Sequence, residues 1–163
     1  MEALDTYLND HLAGAVGAVD MLEAMIDAHE DKPLAPFLRA LKADIESDQG
    51  ELQQLMTRLG IGESTIKKAG AWVAEKFSRA KLRLGDSGEP NLALLQALES
   101  LSLGITGKRS LWRSLGAAAS AAPRLAGFDF ARLEQRALEQ FERVEAKAQE
   151  IAAQIFPPDL NQA

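Results

Sequence analysis

Asp48 is the residue of this chain least at home among its neighbours. Every third and fourth residue from Leu34 onward reads Leu34, Leu38, Leu41, Ile45, Asp48, Leu52, Leu55 and Leu59. Steps of four and three alternate throughout, which is the seam of a helix packed along its length. A carboxylate in that seam must be paired, metal-bound, protonated or reached by water. Other chemistries are thinly represented. There is no cysteine, which excludes disulfides, thiolate metal sites and cysteine nucleophiles. His11 and His29 are both on the first helical stretch, eighteen residues or about 27 Å apart, too far to share a ligand or a triad. They read as surface or end-of-bundle histidines. Ser64, Ser78, Ser110 and Ser114 have no visible His–Asp partnership. The GIGES run at 60–64 lacks the Lys-Ser/Thr of a phosphate loop. Trp72 and Trp112, set among aliphatics at helical spacing, read as core.

The elements that would position Asp48 are helical. A first helix is expected over about 3–30, with a seam of Leu8, Leu12, Ala15, Val19, Leu22 and Ile26. Asp31 and Pro33 suit the start of the second, over about 33–59, and Gly60 suits its left-handed end. A turn this short makes the two an antiparallel hairpin. A helix at about 64–84 presents Ile66, Ala69, Trp72, Val73, Phe77 and Ala80 on one face. Its length of about 30 Å would carry the chain back to the end where the second helix began. The next long helix, about 90–116, would then run parallel to the second. Leu94/Leu95, Leu98, Leu101, Ile105, Trp112 and Leu115 turn inward there, and the seam meets a charge at Lys108 or Arg109. The last helix, about 129–156, starts at an Asp129 cap with Phe128 and Leu133 spaced as a hydrophobic staple. Its seam reads Phe130, Leu133, Ala137, Phe141, Val144, Ala148, Ile151 and Ile155, and Pro157-Pro158 ends it. No strand pattern occurs.

Counting from the turns places Asp48, Glu51, Lys108, Arg109, Arg136 and Glu139 at one height. Gly14, Gly17, Gly50, Gly104 and Gly107 fall in the same layer. A helix-interior glycine costs about 0.5–1 kcal/mol relative to alanine. Several at one height therefore have a reason, either close helix approach or a cavity that admits a ligand.

At 163 residues, 47% hydrophobic and 26% charged, the chain has the profile of one soluble globular domain spanning 1–163. No apolar run is long enough for a membrane span, and the acidic start MEALDTYLND is unlike a signal peptide. A cytoplasmic protein is expected. The net charge of −6 argues against general nucleic-acid binding. That charge is uneven. Residues 1–31 hold eight carboxylates and no Lys or Arg, whereas Lys67, Lys68, Lys76, Arg79, Lys81 and Arg83 face only Glu75. This basic stretch reads as the solvated face of the crossover helix or as a docking face for an acidic partner. Residues 100–124 carry Lys108, Arg109, Arg113 and Arg124 without an acid.

Four long helices with one long crossover between the second and third resemble the ferritin-like fold, an up-down-down-up bundle with here an additional crossover helix. In that family a di-iron centre draws a carboxylate from the first and third bundle helices and Glu-x-x-His from the second and fourth. This sequence departs from the pattern. The second helix offers Asp48-Gln49-Gly50-Glu51 and the last Glu139-Gln140-Phe141-Glu142, with Glu in place of each histidine; the third offers Glu99. The resemblance thus implies, at most, a carboxylate-only metal site of Asp48, Glu51, Glu99, Glu139 and Glu142, serving redox chemistry or metal storage. A Lys or Arg at the same level opposes a divalent ion. The preferred reading is an ion pair of Asp48 with Arg109 or Lys108 where the family keeps its metal. Arg109 is favoured because its fork takes a carboxylate bidentately. Solvent exposure of Asp48 is the third reading. The function expected is a non-catalytic ferritin-like module, without metal or cofactor, acting through protein or small-ligand interaction, as a homo-oligomer or homodimer. The competing expectation is the metal-binding one.

Overall fold

A computed structural model describes residues 2–63 and 88–156. Within them the chain is helical: α1 Glu2–Ala28, α2 Ala35–Leu59, α3 Pro90–Ala119, a 3-10 turn at Pro123–Leu125, and α4 Phe130–Ile155. No described residue is in a strand. The helix expected at 64–84, with its basic face, lies outside the described residues.

Local chemistry explains most of the boundaries. Gly60 ends α2 at φ 70°, ψ 25°, and its N–H and that of Ile61 return to the carbonyls of Thr57 and Met56. A left-handed residue here closes the orphan carbonyls of the last turn. Asp129 caps α4, its carboxylate accepting from the Arg132 N–H at 3.0 Å. The start of α2 differs from expectation. Asp31 gives no cap and Pro33 is not the first-turn proline; Leu34 is the N-cap, without a side-chain cap bond, and Pro36 is in the first turn. Residues 29–35 instead form successive turns, Lys32 N–H to His29 O and Ala35 N–H to Lys32 O. These turns delay helix entry by two residues.

Side-chain pairs between helices fix the chain directions. Glu23 of α1 meets Lys42 of α2 at 3.3 Å, and Asn9 donates to the Gly62 carbonyl beyond the far end of α2, so α1 and α2 are antiparallel. Arg143, Arg136 and Arg132 of α4 meet Asp44, Asp48 and Glu51 of α2 in falling order, another antiparallel pair. Lys108 meets Gln140 and Arg113 meets Glu134, so α3 also opposes α4. Hence α2 and α3 are parallel, and the four directions fit an up-down-down-up bundle. No helix among the described residues is long and apolar enough to cross a membrane.

The core follows the seams with two shifts. Leu38, Leu41, Ile45, Leu52, Leu55 and Leu59 of α2 are all buried, and Asp48 with them. In α1 the buried face is Leu8, Leu12, Ala18, Met21, Leu22 and Met25, whereas Ala15, Val19 and Ile26 are only half-buried. A straight helix drifts against a strict seven-residue pattern, and over this length the drift moves the face by a residue. In α4 the half-buried Phe141 yields its place to Gln140, which is 2% exposed.

Candidate functional site

Two features meet at the middle of the bundle, a polar network across α2, α3 and α4 and a cavity beside it. The network centres on Asp48, 1% exposed. Lys108 reaches in from α3, its Nζ donating to Asp48 Oδ2 at 2.6 Å and to Gln140 Oε1. Gln140 on α4 closes the triangle, its Nε2 donating to the same Asp48 Oδ2 at 2.8 Å. Arg136, one turn earlier on α4, brings a guanidinium nitrogen to 3.1 Å from Oδ1. That contact is one of charge, off the line of a hydrogen bond, since Oδ1 has no hydrogen-bond partner among the described residues. Burial pushes the Lys108 ammonium below the usual lysine range, and Asp48 opposes the shift. Lys108 thus carries its charge less readily than a surface lysine.

The ion pair of Asp48 is with Lys108; Arg109, the expected partner, points elsewhere. Its guanidinium joins Glu134 at 3.2 Å and is 37% exposed, against 15% for Lys108. Of the two adjacent positions, 108 continues the inward face and 109 turns toward the edge of α4. Counting from the turns places Arg136 at this height but passes over Gln140, because Phe141 beside it suits a seam better by type. Spacing alone held the signal: a step of three from Ala137 and of four to Val144 both land on Gln140.

The carboxylate-only metal set does not assemble. Glu51 is bound by Arg132 at 2.9 Å. Glu99, Glu139 and Glu142 are exposed, and Glu139 accepts from Gln135 at 3.1 Å. Among the described residues no three His, Cys, Asp or Glu side chains group as metal ligands. Asp48 itself faces two cations, a donor set that does not fit a divalent ion.

The cavity, about 410 Å³, lies among α1, α2 and α3, with Asp48 and Lys108 in one wall. Pockets of roughly 300–1,000 Å³ are the usual size for small ligands. Gly14, Gly104 and Gly107, three of the five layered glycines, line it; Gly17 and Gly50 do not. A Cβ added at Gly107 would meet nothing within 4 Å. At Gly107, open space rather than close helix approach is the consequence of the missing side chain. Most of the remaining wall is aliphatic, including Ile105 and Leu111.

The cavity also has polar groups left unmatched. Trp112, 1% exposed and stacked on Phe130 with centroids 6.4 Å apart, has an indole N–H without a hydrogen-bond partner among the described residues. Asp10 Oδ1, on the α1 wall, is likewise buried and unpartnered. Next to it His11 also lines the cavity, edge-on to Tyr7 with centroids 4.7 Å apart. Burial lowers the His11 pKa, and the Asp10 charge partly restores it. Neither Asp10 nor His11 was expected at an interior wall. An acidic helix without lysine or arginine reads as solvated, and the α1 pattern does not show which of its residues border a cavity. His29 is buried at the other end of α1, hydrogen-bonded through Nδ1 to the Met25 carbonyl at 2.8 Å.

Compared with known proteins, the chain matches no family model, no curated protein and no solved structure.

Proposed function

We propose that this chain is a non-catalytic ferritin-like bundle that binds a small, mainly apolar molecule in the cavity among α1, α2 and α3. The observation that carries the reading is the cavity itself: ligand-sized, largely aliphatic, and bordered by Gly107, where a side chain would enter open space. The up-down-down-up order of the helices, with α2 parallel to α3, supports the ferritin-like part. The Lys108–Asp48–Gln140 network supports the non-catalytic part, because its hydrogen bonds are made within the protein and it occupies the middle of the bundle. It acts as a wall that keeps α2, α3 and α4 in register. A buried polar network can serve register in this way even where it adds little stability.

Titration with the neutral dye N-phenyl-1-naphthylamine tests the reading. Saturable binding of one dye per chain is expected, with a blue-shifted emission. Gly107→Leu directs a side chain into the space and should weaken binding about tenfold or more while far-UV circular dichroism stays unchanged. Absence of binding, or binding that Gly107→Leu leaves alone, would overturn it.

A further inference from the structure

Among the described residues, the ionisable side chains that line the cavity are Asp10 and His11 from α1, Asp48 from α2 and Lys108 from α3. Asp48 and Lys108 are paired with each other at 2.6 Å. His11 is placed differently. Its ring packs edge-on to Tyr7 and is half-buried, yet neither ring nitrogen has a hydrogen-bond partner among the described residues. Nor is either nitrogen sealed from solvent, in contrast to Trp112 Nε1 and Asp10 Oδ1. The other histidine, His29, is held by the Met25 carbonyl and does not line the cavity. A neutral imidazole stands in an apolar wall at little cost, whereas an imidazolium needs water or a counter-charge. Water reaching the open nitrogens can supply that need. A neutral apolar molecule filling the space displaces the water and leaves the charged ring with Asp10 alone. Burial already disfavours the charged ring more than the Asp10 charge favours it, so the His11 pKa lies below 6.5 before any ligand enters. A ligand adds to the larger of these two effects and leaves the smaller as it was.

We propose that His11 regulates the cavity by its protonation: a neutral apolar molecule is held while the ring is neutral and released when the ring takes up a proton. The proposal rests on the ligand-binding reading above and adds its regulation. Linkage makes the effect reciprocal. If protonation weakens the ligand by some factor, the ligand weakens proton binding at His11 by the same factor. Binding should therefore weaken as pH falls through the His11 pKa of the free protein, and level off once the ring is protonated in the bound state too. Histidine is the side chain whose ordinary pKa puts its change of charge between roughly pH 5 and 8, so the release falls in a mild acid range. The Asp48–Lys108 pair of the facing helices holds one charge of each sign, and Asp10 is the only charge that acts on the His11 ring among the described residues.

Titration with N-phenyl-1-naphthylamine, whose arylamine stays neutral throughout, tests the proposal at about pH 7.5 and about pH 5, the range over which a histidine changes charge. Far-UV circular dichroism at each pH distinguishes release from unfolding. The Kd should be about tenfold weaker at the lower pH, the equivalent of a ligand-induced fall of about one unit in the His11 pKa. In His11→Gln the Kd values at the two pH settings should agree within about twofold, because the titrating charge is gone. The reciprocal effect is read on the imidazole C–H resonances by ¹³C-correlated NMR, with His29→Gln identifying the His11 signal. Saturating dye should lower the His11 pKa and leave that of His29 where it was. A Kd that does not change with pH, a change that persists in His11→Gln, or a His11 pKa that the dye leaves alone would overturn the regulation and leave the cavity reading standing. Absence of dye binding at either pH would overturn both.

Discussion

At the scale of single residues, the buried Lys108–Asp48 pair is the feature with the largest energetic consequences. Removing one member of a buried ion pair leaves the other uncompensated, which costs about 3–5 kcal/mol. Lys108→Met should fall near the lower end, because Arg136 and Gln140 remain on Asp48. Asp48→Leu leaves Lys108 facing Arg136 with its counter-charge gone. The double variant removes both charges and should cost far less than the two single losses together. Urea unfolding of the cycle should give a coupling energy of at least about 1 kcal/mol; simple additivity would mean the two side chains act independently. The pH dependence follows from the same burial. The folded-state pKa of Lys108 is lowered, so between that value and 10.5 the unfolded chain holds the extra proton. Stability should therefore rise with pH through that alkaline window, and Lys108→Met should flatten the slope. His11 has the same sign at lower pH. Its folded pKa lies below 6.5, so stability should fall as pH drops from 6.5 through that value, and His11→Gln should remove that part of the loss.

At the scale of helices, capping and glycine content give two further expectations. Asp129→Ala removes the only carboxylate that accepts from the first turn of α4 among the described residues, and should cost about 0.5–2 kcal/mol by thermal or urea unfolding. Gly50→Ala and Gly107→Ala each add a methyl group to open space, so the helix propensity gain of about 0.5–1 kcal/mol should appear undiminished. How far the elements were legible in sequence follows from the strength of each local signal. The α2 seam, the Gly60 end and the Asp129 cap rest on strong periodicity and on specific backbone chemistry, and they stand where the pattern puts them. The start of α2 is ambiguous in sequence because Asp31 and Pro33 fit a cap as well as the turns they actually occupy. The α1 face drifted because alanine and valine on neighbouring rows of an apolar helix carry no phase information. Lys108 and Arg109 could be separated only by packing, since adjacent basic residues satisfy a seven-residue pattern equally well.

At the scale of the whole molecule, the parallel run of α2 and α3 brings Asp48 beside Lys108, and both oppose α4, which supplies Gln140 and Arg136. The level at which these residues meet could be counted from turn positions. The cavity could be foreshadowed only by glycines sharing a height, since its volume depends on how far α1 and α3 stand apart. The exposed Phe156 and the half-buried Ile155 border a separate recess at the other end of α3, with Glu89 and Pro90. An apolar dye thus has two places to go, and location decides between them. Intermolecular NOEs from bound N-phenyl-1-naphthylamine to methyl-labelled protein test the cavity most directly. Binding there predicts cross-peaks to the methyl groups of Ile45, Ile105 and Leu111. Cross-peaks confined to Ile155 and its neighbours, with none to those three, would contradict it.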